Sequence, residues 1–252
     1  MQSSFVVQLF YIWGMENEKI VVHGIHCLPG DSDITNHIRK HGTLKWDAPF
    51  DLITKILGPG NGRAMADIGA YIGDSVKWFI DDGWKCHAFE PQKDAYECLV
   101  LNVGTECTTY NIPIGSNQQV DTIEQTTGNL GARSLDLGGK SVAVPLDAVI
   151  EKADFLKIDA EGFEPFILEG CKKILETKPL VAIEINHVGL AKYNFTENDI
   201  LKHFNNHIAI ETYFYADYQY DLLLIPMEKY SQYKDVLLKH PLSSLKVKHI
   251  QL

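Results

Sequence analysis

No lysine- or arginine-rich stretch occurs in this chain, and 23 basic against 33 acidic residues leave a formal charge of −10. Binding nucleic acid takes phosphate-neutralising basic surface, so a polyanionic partner is disfavoured. Cysteine is scarce and unpaired. The five, Cys27, Cys86, Cys98, Cys107 and Cys171, are odd in number and include no C-x-x-C pair. Cys86, Cys98 and Cys171 fall within apolar periodic segments, as small core residues of a reducing compartment do. No apolar run is long enough to span a bilayer. The apolar stretch Phe5–Trp13 has neither a basic region before it nor an A-x-A-like cleavage site. It reads as a buried edge strand or an extension, and a cytoplasmic protein without a membrane partner is expected. Repeats and low-complexity segments are also missing. With 252 residues, 45% of them hydrophobic, the chain can bury one sizeable core plus a smaller appendage.

One further absence is more specific. Ala66-Asp67-Ile68-Gly69-Ala70-Tyr71-Ile72-Gly73-Asp74-Ser75 reads as a buried strand, a glycine turn and a helix start. That arrangement marks a nucleotide-type cofactor site at the edge of an α/β sheet. A dinucleotide site needs G-x-G-x-x-G, so that bare backbone can approach a pyrophosphate. Here Ala70 and Tyr71 follow Gly69, leaving only G-x-x-x-G, and Asp67 would repel an anion. An NAD-dependent dehydrogenase is therefore the weaker alternative. An acid beside a glycine turn suits a cationic adenosyl cofactor without phosphates, and S-adenosylmethionine fits. The next strand, Cys86-His87-Ala88-Phe89-Glu90-Pro91, ends in a carboxylate 23 residues after Asp67. An acid at that spacing accepts hydrogen bonds from ribose hydroxyls, and Pro91 stops the strand. Asp67, Gly69, Ala70, Tyr71, Gly73, Glu90 and Pro91 are the candidate cofactor residues.

Strand and helix patterns alternate from this turn onward. Val76, Phe79 and Ile80 share a helix face that Asp74 or Ser75 can cap. Ala95, Cys98, Leu99 and Asn102 mark a second helix, and Cys107 to Ile114 a third strand. Residues 116–140 are polar, glycine-bearing and without period, and so long an irregular stretch is usually functional. Short strands are expected at Val142–Leu146 and 154–159, then one amphipathic helix over Phe163–Ile174. The apolar run 179–186 reads as a strand covered on both faces. Thr196 can cap a helix, and 208–215 with 221–225 should form an antiparallel hairpin. The sum is a doubly wound, mostly parallel seven-stranded sheet with one antiparallel strand. Residues 1–60, with a helix over Trp46–Leu57, read as a cap over the cofactor edge. Residues 61–226 form the cofactor-binding domain, and 227–252 a helical tail with an extended end.

ADIGAYIGDS, HAFEP, VPLDAVI (144–150), DFLKIDAEGFEPFILEGCKKIL (154–175) and KPLVAIEIN (178–186) occur in that order. With them the chain closely resembles the FkbM family of S-adenosylmethionine-dependent methyltransferases, over residues 30 to 226. The resemblance implies a class I, Rossmann-like methyltransferase fold and methyl transfer to a hydroxyl oxygen of a natural product or carbohydrate. Tyr71 departs from the asparagine common in the family. The residues point the same way. Asp159 ends a central strand at the edge where open α/β sheets bind ligands, with Glu161 two residues on. Asp159 is expected to hold the cofactor's methionine end and favour its sulfonium, which makes it a further cofactor residue, while Glu161, nearest the acceptor, accepts a proton from a hydroxyl that is a poor nucleophile when protonated. Glu161, Glu184 and His187 are the candidate bases. Both acids could equally serve a helix N-terminus, and a lone histidine after a strand is commonly a loop residue.

Arg133 could clamp an acidic group of the acceptor. Together with Glu184 and His37 it completes the candidate substrate residues. Asp159, Glu184 and Asn186 could hold Mg²⁺ or Ca²⁺, but no spacing demands it, and metal-free chemistry is expected. The acceptor is expected to be a small molecule or saccharide. A fold that kept the cofactor and lost the chemistry is the second alternative.

Overall fold

The structure is a computed structural model that describes residues 19–45, 50–237 and the backbone of 238–239 and 247–249. The expected element at Phe5–Trp13 and the first four residues of the expected helix at 46–57 lie outside the described residues. Eight strands make the main sheet: β1 (Ala64–Ile68), β2 (Lys85–Phe89), β3 (Cys107–Tyr110), β4 (Phe155–Ile158), β5 (Leu180–Asn186), β6 (His207–Ala216), β7 (Gln219–Pro226) and β8 (Val247–His249). Their order is β8-β6-β7-β5-β4-β1-β2-β3. Strands β1 to β5 are mutually parallel, and β7 runs antiparallel between β5 and β6. The seven expected strands and the hairpin are present. The tail adds β8, a short edge strand paired with β6.

Two positions show why these segments fold this way. Every residue of β1 and of β5 is buried, so both faces are covered, as a central parallel strand requires. On one face Ile68, Ile158, Ile183 and Ile185 pack on Phe163 and Ile167. On the other, Met65, Phe79 and Phe155 pack with Phe50 and Ile53 of the helix Phe50–Leu57. The C-terminal helix Met227–Lys239 covers that same layer through Tyr230 and Tyr233. Phe50–Leu57 is thus part of the sheet's own covering layer. Residues 19–45 instead share a third cluster, Cys27, Leu28 and Ile38 with Ile72, Cys98 and Leu130.

Four local expectations are corrected. The single helix over Phe163–Ile174 is two, Glu164–Glu169 and Lys172–Glu176. They break at Gly170, where a Cβ would lie 1.9 Å from the Gly115 carbonyl oxygen. The second helix starts afresh on the Asp147 carboxylate, which accepts from the amides of Lys173 and Ile174 at 2.9 and 3.1 Å. The irregular stretch 116–140 carries a small antiparallel sheet of Gln119–Thr122, Leu135–Leu137 and Ser141–Val142. The strand expected at Val142–Leu146 therefore shrinks to Ser141–Val142 and a bridge from Val144 to Ile114. Ser75 flanks the helix Val76–Asp81 without capping it by its side chain, because its hydroxyl donates to Asp67. Thr196 does form a capping box with Asp199.

Strand order reverses between β1 and β4, and a crevice opens at the carboxyl ends of such neighbours. Gly69 closes it from below, at φ +81, with the Asp159 carbonyl oxygen 1.8 Å from where a Cβ would stand. Gly83, at φ +76, meets nothing within 4 Å. Gly69→Ala is expected to cost more than about 3 kcal/mol, since overpacking against backbone adds to left-handed strain. Gly83→Ala should cost only about 1–2 kcal/mol from strain alone. Equal urea midpoints for the two variants would contradict this reading.

Candidate active site

The crevice is built around a buried ammonium. Lys157 stands on β4 directly opposite Asp67 on β1. Its Nζ lies 3.3 Å from Asp67 Oδ1 and 3.2 Å from Asp159 Oδ2, and donates to the Gly69 carbonyl at 2.7 Å. Burial lowers the Lys157 pKa, but Asp159, Asp67 and Asp74 outweigh it and hold the ammonium above its ordinary range. Asp67 is fully buried. Burial raises its carboxyl against the opposing pull of Lys157 and the Ser75 hydroxyl. One cation thereby ties the glycine turn, β1 and the end of β4 into one unit.

At the end of β2 a second buried acid organises the other wall. Glu90 Oε2 accepts from the Tyr71 amide at 2.9 Å, and Oε1 from the Gln92 amide at 2.7 Å. This holds Tyr71 at φ +46, a left-handed conformation rare for an aromatic residue. Burial pushes the Glu90 carboxyl up to about 7, against the lowering by those two amides. Arg133 comes in from the loop after Asn129. Its NH1 pairs with Asp94 at 2.9 Å, and its Nε donates to the Leu130 carbonyl at 2.8 Å. That loop is tied to residues 31–33 by Asp31, which accepts from the Leu130 amide, and by Asn129, which donates to Asp33. Three buried atoms on this side of the crevice have no hydrogen-bond partner: Tyr71 Oη, Gln92 Nε2 and Arg133 NH2. All three residues line the cleft. Unfilled buried donors in a cleft that also holds the Glu90 carboxylate are what an adenosyl group, rich in acceptors and carrying two ribose hydroxyls, would satisfy.

The third wall is acidic. Asp159 follows β4, Glu161 sits on the next turn at φ +54, and Glu184 stands within β5. Glu164 shapes the turn by accepting from the amides of Ala160 and Gly162 at 2.8 and 3.2 Å. Asn186 Nδ2 donates to Glu161 Oε2 at 2.8 Å, and its Oδ1 caps the following helix at the Gly189 amide. Burial, then the charges of Asp159 and Glu164, push the Glu161 carboxyl up to about 8. Burial and the neighbouring acids raise Glu184 well above the usual carboxylate range. Asp221, opposite Glu184 on β7, is raised in the same way.

Gly69, Tyr71, Glu90, Pro91, Arg133, Asp159, Glu161 and Glu184 all line this one cleft. Asp67, Ala70 and Gly73 do not line it. Asp67 acts through Lys157, Ala70 is fully buried, and Gly73 lets the turn approach Leu99 and Val103, each 3.1 Å from a would-be Cβ. His37 stacks on His41 at 4.6 Å and is outside the lining, to which its segment contributes Asp33 and Ile34. His187 opens a helix with its ring set edge-on to Tyr220 at 6.0 Å, and it too is outside the lining. Sequence reasoning missed Lys157, Asp74 and Asp221, all of which line the cleft. The available signal was a lysine inside an otherwise apolar strand. Lys157→Met should cost about 3–5 kcal/mol in equilibrium unfolding, because it strands buried charge. Adding Asp67→Asn should recover part of the loss, and an undiminished single variant would refute the hub.

The family model of the methyltransferase FkbM domain matches residues 67–222. No curated protein matches the chain. Among solved structures, precorrin-6y C5,15-methyltransferase from Geobacter metallireducens GS-15 is 11% identical with a TM-score of 0.46, covering 78% of this chain and 99% of that one. Magnesium protoporphyrin IX methyltransferase from Synechocystis PCC 6803, solved with its methyl donor bound, is 14% identical with a TM-score of 0.43, covering 77% and 84%. TrmK of M. capricolum, solved with S-adenosyl-homocysteine, is 16% identical with a TM-score of 0.39, covering 70% and 68%. The matched family span takes in more than half of the chain and all three walls of the cleft. The chain belongs to the FkbM family of methyltransferases, whose cofactor is S-adenosylmethionine.

Proposed function

We propose that this protein methylates a hydroxyl oxygen of a small molecule or saccharide. The observation that carries the reading is the meeting, in one cleft, of a Glu90 wall suited to an adenosyl group with the carboxylates Asp159 and Glu161. When bound, the cofactor supplies an electrophilic methyl group on a sulfonium and leaves as a neutral thioether. Glu90 would accept from the ribose hydroxyls, while Tyr71, Gln92 and Arg133 donate to acceptors of the adenosyl half. Asp159 faces the cationic methionine end, its own position fixed by Lys157. Glu161, held by Asn186, lies on the acceptor side and receives the proton of the hydroxyl. Displacement at a methyl carbon is in-line, so alignment within the cleft supplies much of the acceleration. An acid-lined cleft on a chain of charge −10 disfavours a nucleic-acid acceptor. Among the described residues no helix is long and apolar enough to cross a membrane.

Conversion of S-adenosylmethionine to S-adenosylhomocysteine across a panel of polyols, saccharides and phenols tests the activity. Glu161→Gln should leave affinity for the product nearly unchanged and lower kcat by about 10²–10⁴, the worth of a positioned base. Full turnover in that variant would overturn the role. Affinity for the product should also depend on pH through Glu90. A carboxylate accepts ribose hydroxyls better than a carboxylic acid does. Binding should therefore tighten as pH rises towards about 7 and level off above it. Calorimetry of Glu90→Gln should give binding weakened roughly 10- to 100-fold and without that step. The sign for stability is opposite. The folded-state pKa is raised from 4.5, so the Glu90 contribution falls as pH climbs through that window. A Glu90 variant should flatten this part of the stability curve.

A further inference from the structure

We propose that Asp159, Glu161 and Glu184 together hold one divalent cation of the hard, oxygen-preferring kind on the acceptor side of the cleft. One carboxylate oxygen from each of the three lies within 4.8 Å of the other two. Oxygens that share one Mg²⁺, Mn²⁺ or Ca²⁺ at roughly 2.0–2.6 Å are separated by at most about 5 Å. Small side-chain rotations therefore bring all three onto one ion. Asp159 and Glu161 come from the turn after β4, and Glu184 from the adjacent β5.

A separate observation points to the same place. Glu184 is only 4% exposed. Its Oε1 accepts from Gln219 at 2.6 Å, whereas Oε2 is buried without a hydrogen-bond partner. A buried carboxylate oxygen left unmatched is costly, and this one belongs to a side chain lining the cleft. No lysine, arginine or histidine among the described residues pairs with Glu161 or Glu184. Lys157 reaches only Asp159 of the three. A divalent cation supplies the missing charge and the missing partner at once.

Asn186, the third ligand that strand-end spacing would offer, is spent differently. Its amide donates to Glu161 and caps a helix, so it orients a ligand from outside the ion's own shell. Three carboxylates leave coordination positions open towards the cleft. An acceptor hydroxyl can take one of them, fixing its oxygen beside Glu161. Naming that hydroxyl rests on the function proposed above, whereas binding of the ion does not.

The test uses the full chain stripped with a chelator and titrated with Mn²⁺, following the electron paramagnetic resonance signal of the free ion. Affinity for S-adenosylhomocysteine is measured in parallel. One Mn²⁺ per chain is expected, with a dissociation constant below about 1 mM. Glu184→Gln should weaken Mn²⁺ at least tenfold and leave product affinity within about twofold. If that variant does not fold, Glu161→Gln provides the same comparison. A chain that binds the product but no Mn²⁺ overturns the cation site and leaves the proposed function standing. A chain that binds Mn²⁺ but not the product does the reverse. Mn²⁺ affinity unchanged by either substitution also overturns the site.

Discussion

The buried ammonium of Lys157 is the constraint on which the rest of the cleft depends. In a parallel pair, residues facing each other across β1 and β4 are set by register, and here register puts Lys157 opposite Asp67. Neither charge is tolerable alone in an interior that holds Met65, Phe79 and Phe155 close by. Together, and with the Gly69 carbonyl as a third partner, they lock the glycine turn to the strand that carries Asp159. A close approach of Gly69 to Asp159, which no side chain larger than hydrogen permits, completes the lock. The geometry that would orient a cofactor is thus determined by the core.

From that anchor the cleft divides by charge. The Glu90 wall is acidic but well supplied with donors: two backbone amides, then Tyr71, Gln92 and Arg133. The β5 wall is acidic with few donors, since Asp159, Glu161, Glu184 and Asp221 meet little beyond Asn186, Gln219 and Lys157. A neutral, hydroxyl-bearing adenosine suits the first wall. On the function proposed here, a positive centre would sit at the boundary between the two, and the hydroxyl that loses a proton against the second wall. The loop after Asn129 and residues 31–34 close the cleft from above through Asp31.

Much of this was legible in the sequence because strands end where apolar runs end. Glu90, Asp159 and Glu161 each follow such a run, and the topology brings their ends to one edge. What stayed hidden depends on contacts between distant segments. Lys157 in an apolar strand reads as a side chain snorkelling to an edge until its partner across the sheet is known. The helix break at Gly170 needs Gly115 and Asp147, far upstream. The small sheet at 119–142 pairs strands of two to four residues, too short for a period to announce them. His37 and His187 carry suitable chemistry, yet neither lines the cleft. Ser75 has a good capping chemistry, but the buried Asp67 claims its hydroxyl.

A crystal structure of the full chain with S-adenosylhomocysteine would read out how these walls orient a cofactor. Ribose hydroxyls are expected on Glu90, the adenosyl group against Tyr71, Gln92 and Arg133, and the sulfur facing Asp159 and Glu161 over the Gly69 turn. The ligand bound elsewhere, or in this cleft with its ribose directed to the Glu184 wall, would contradict that placement.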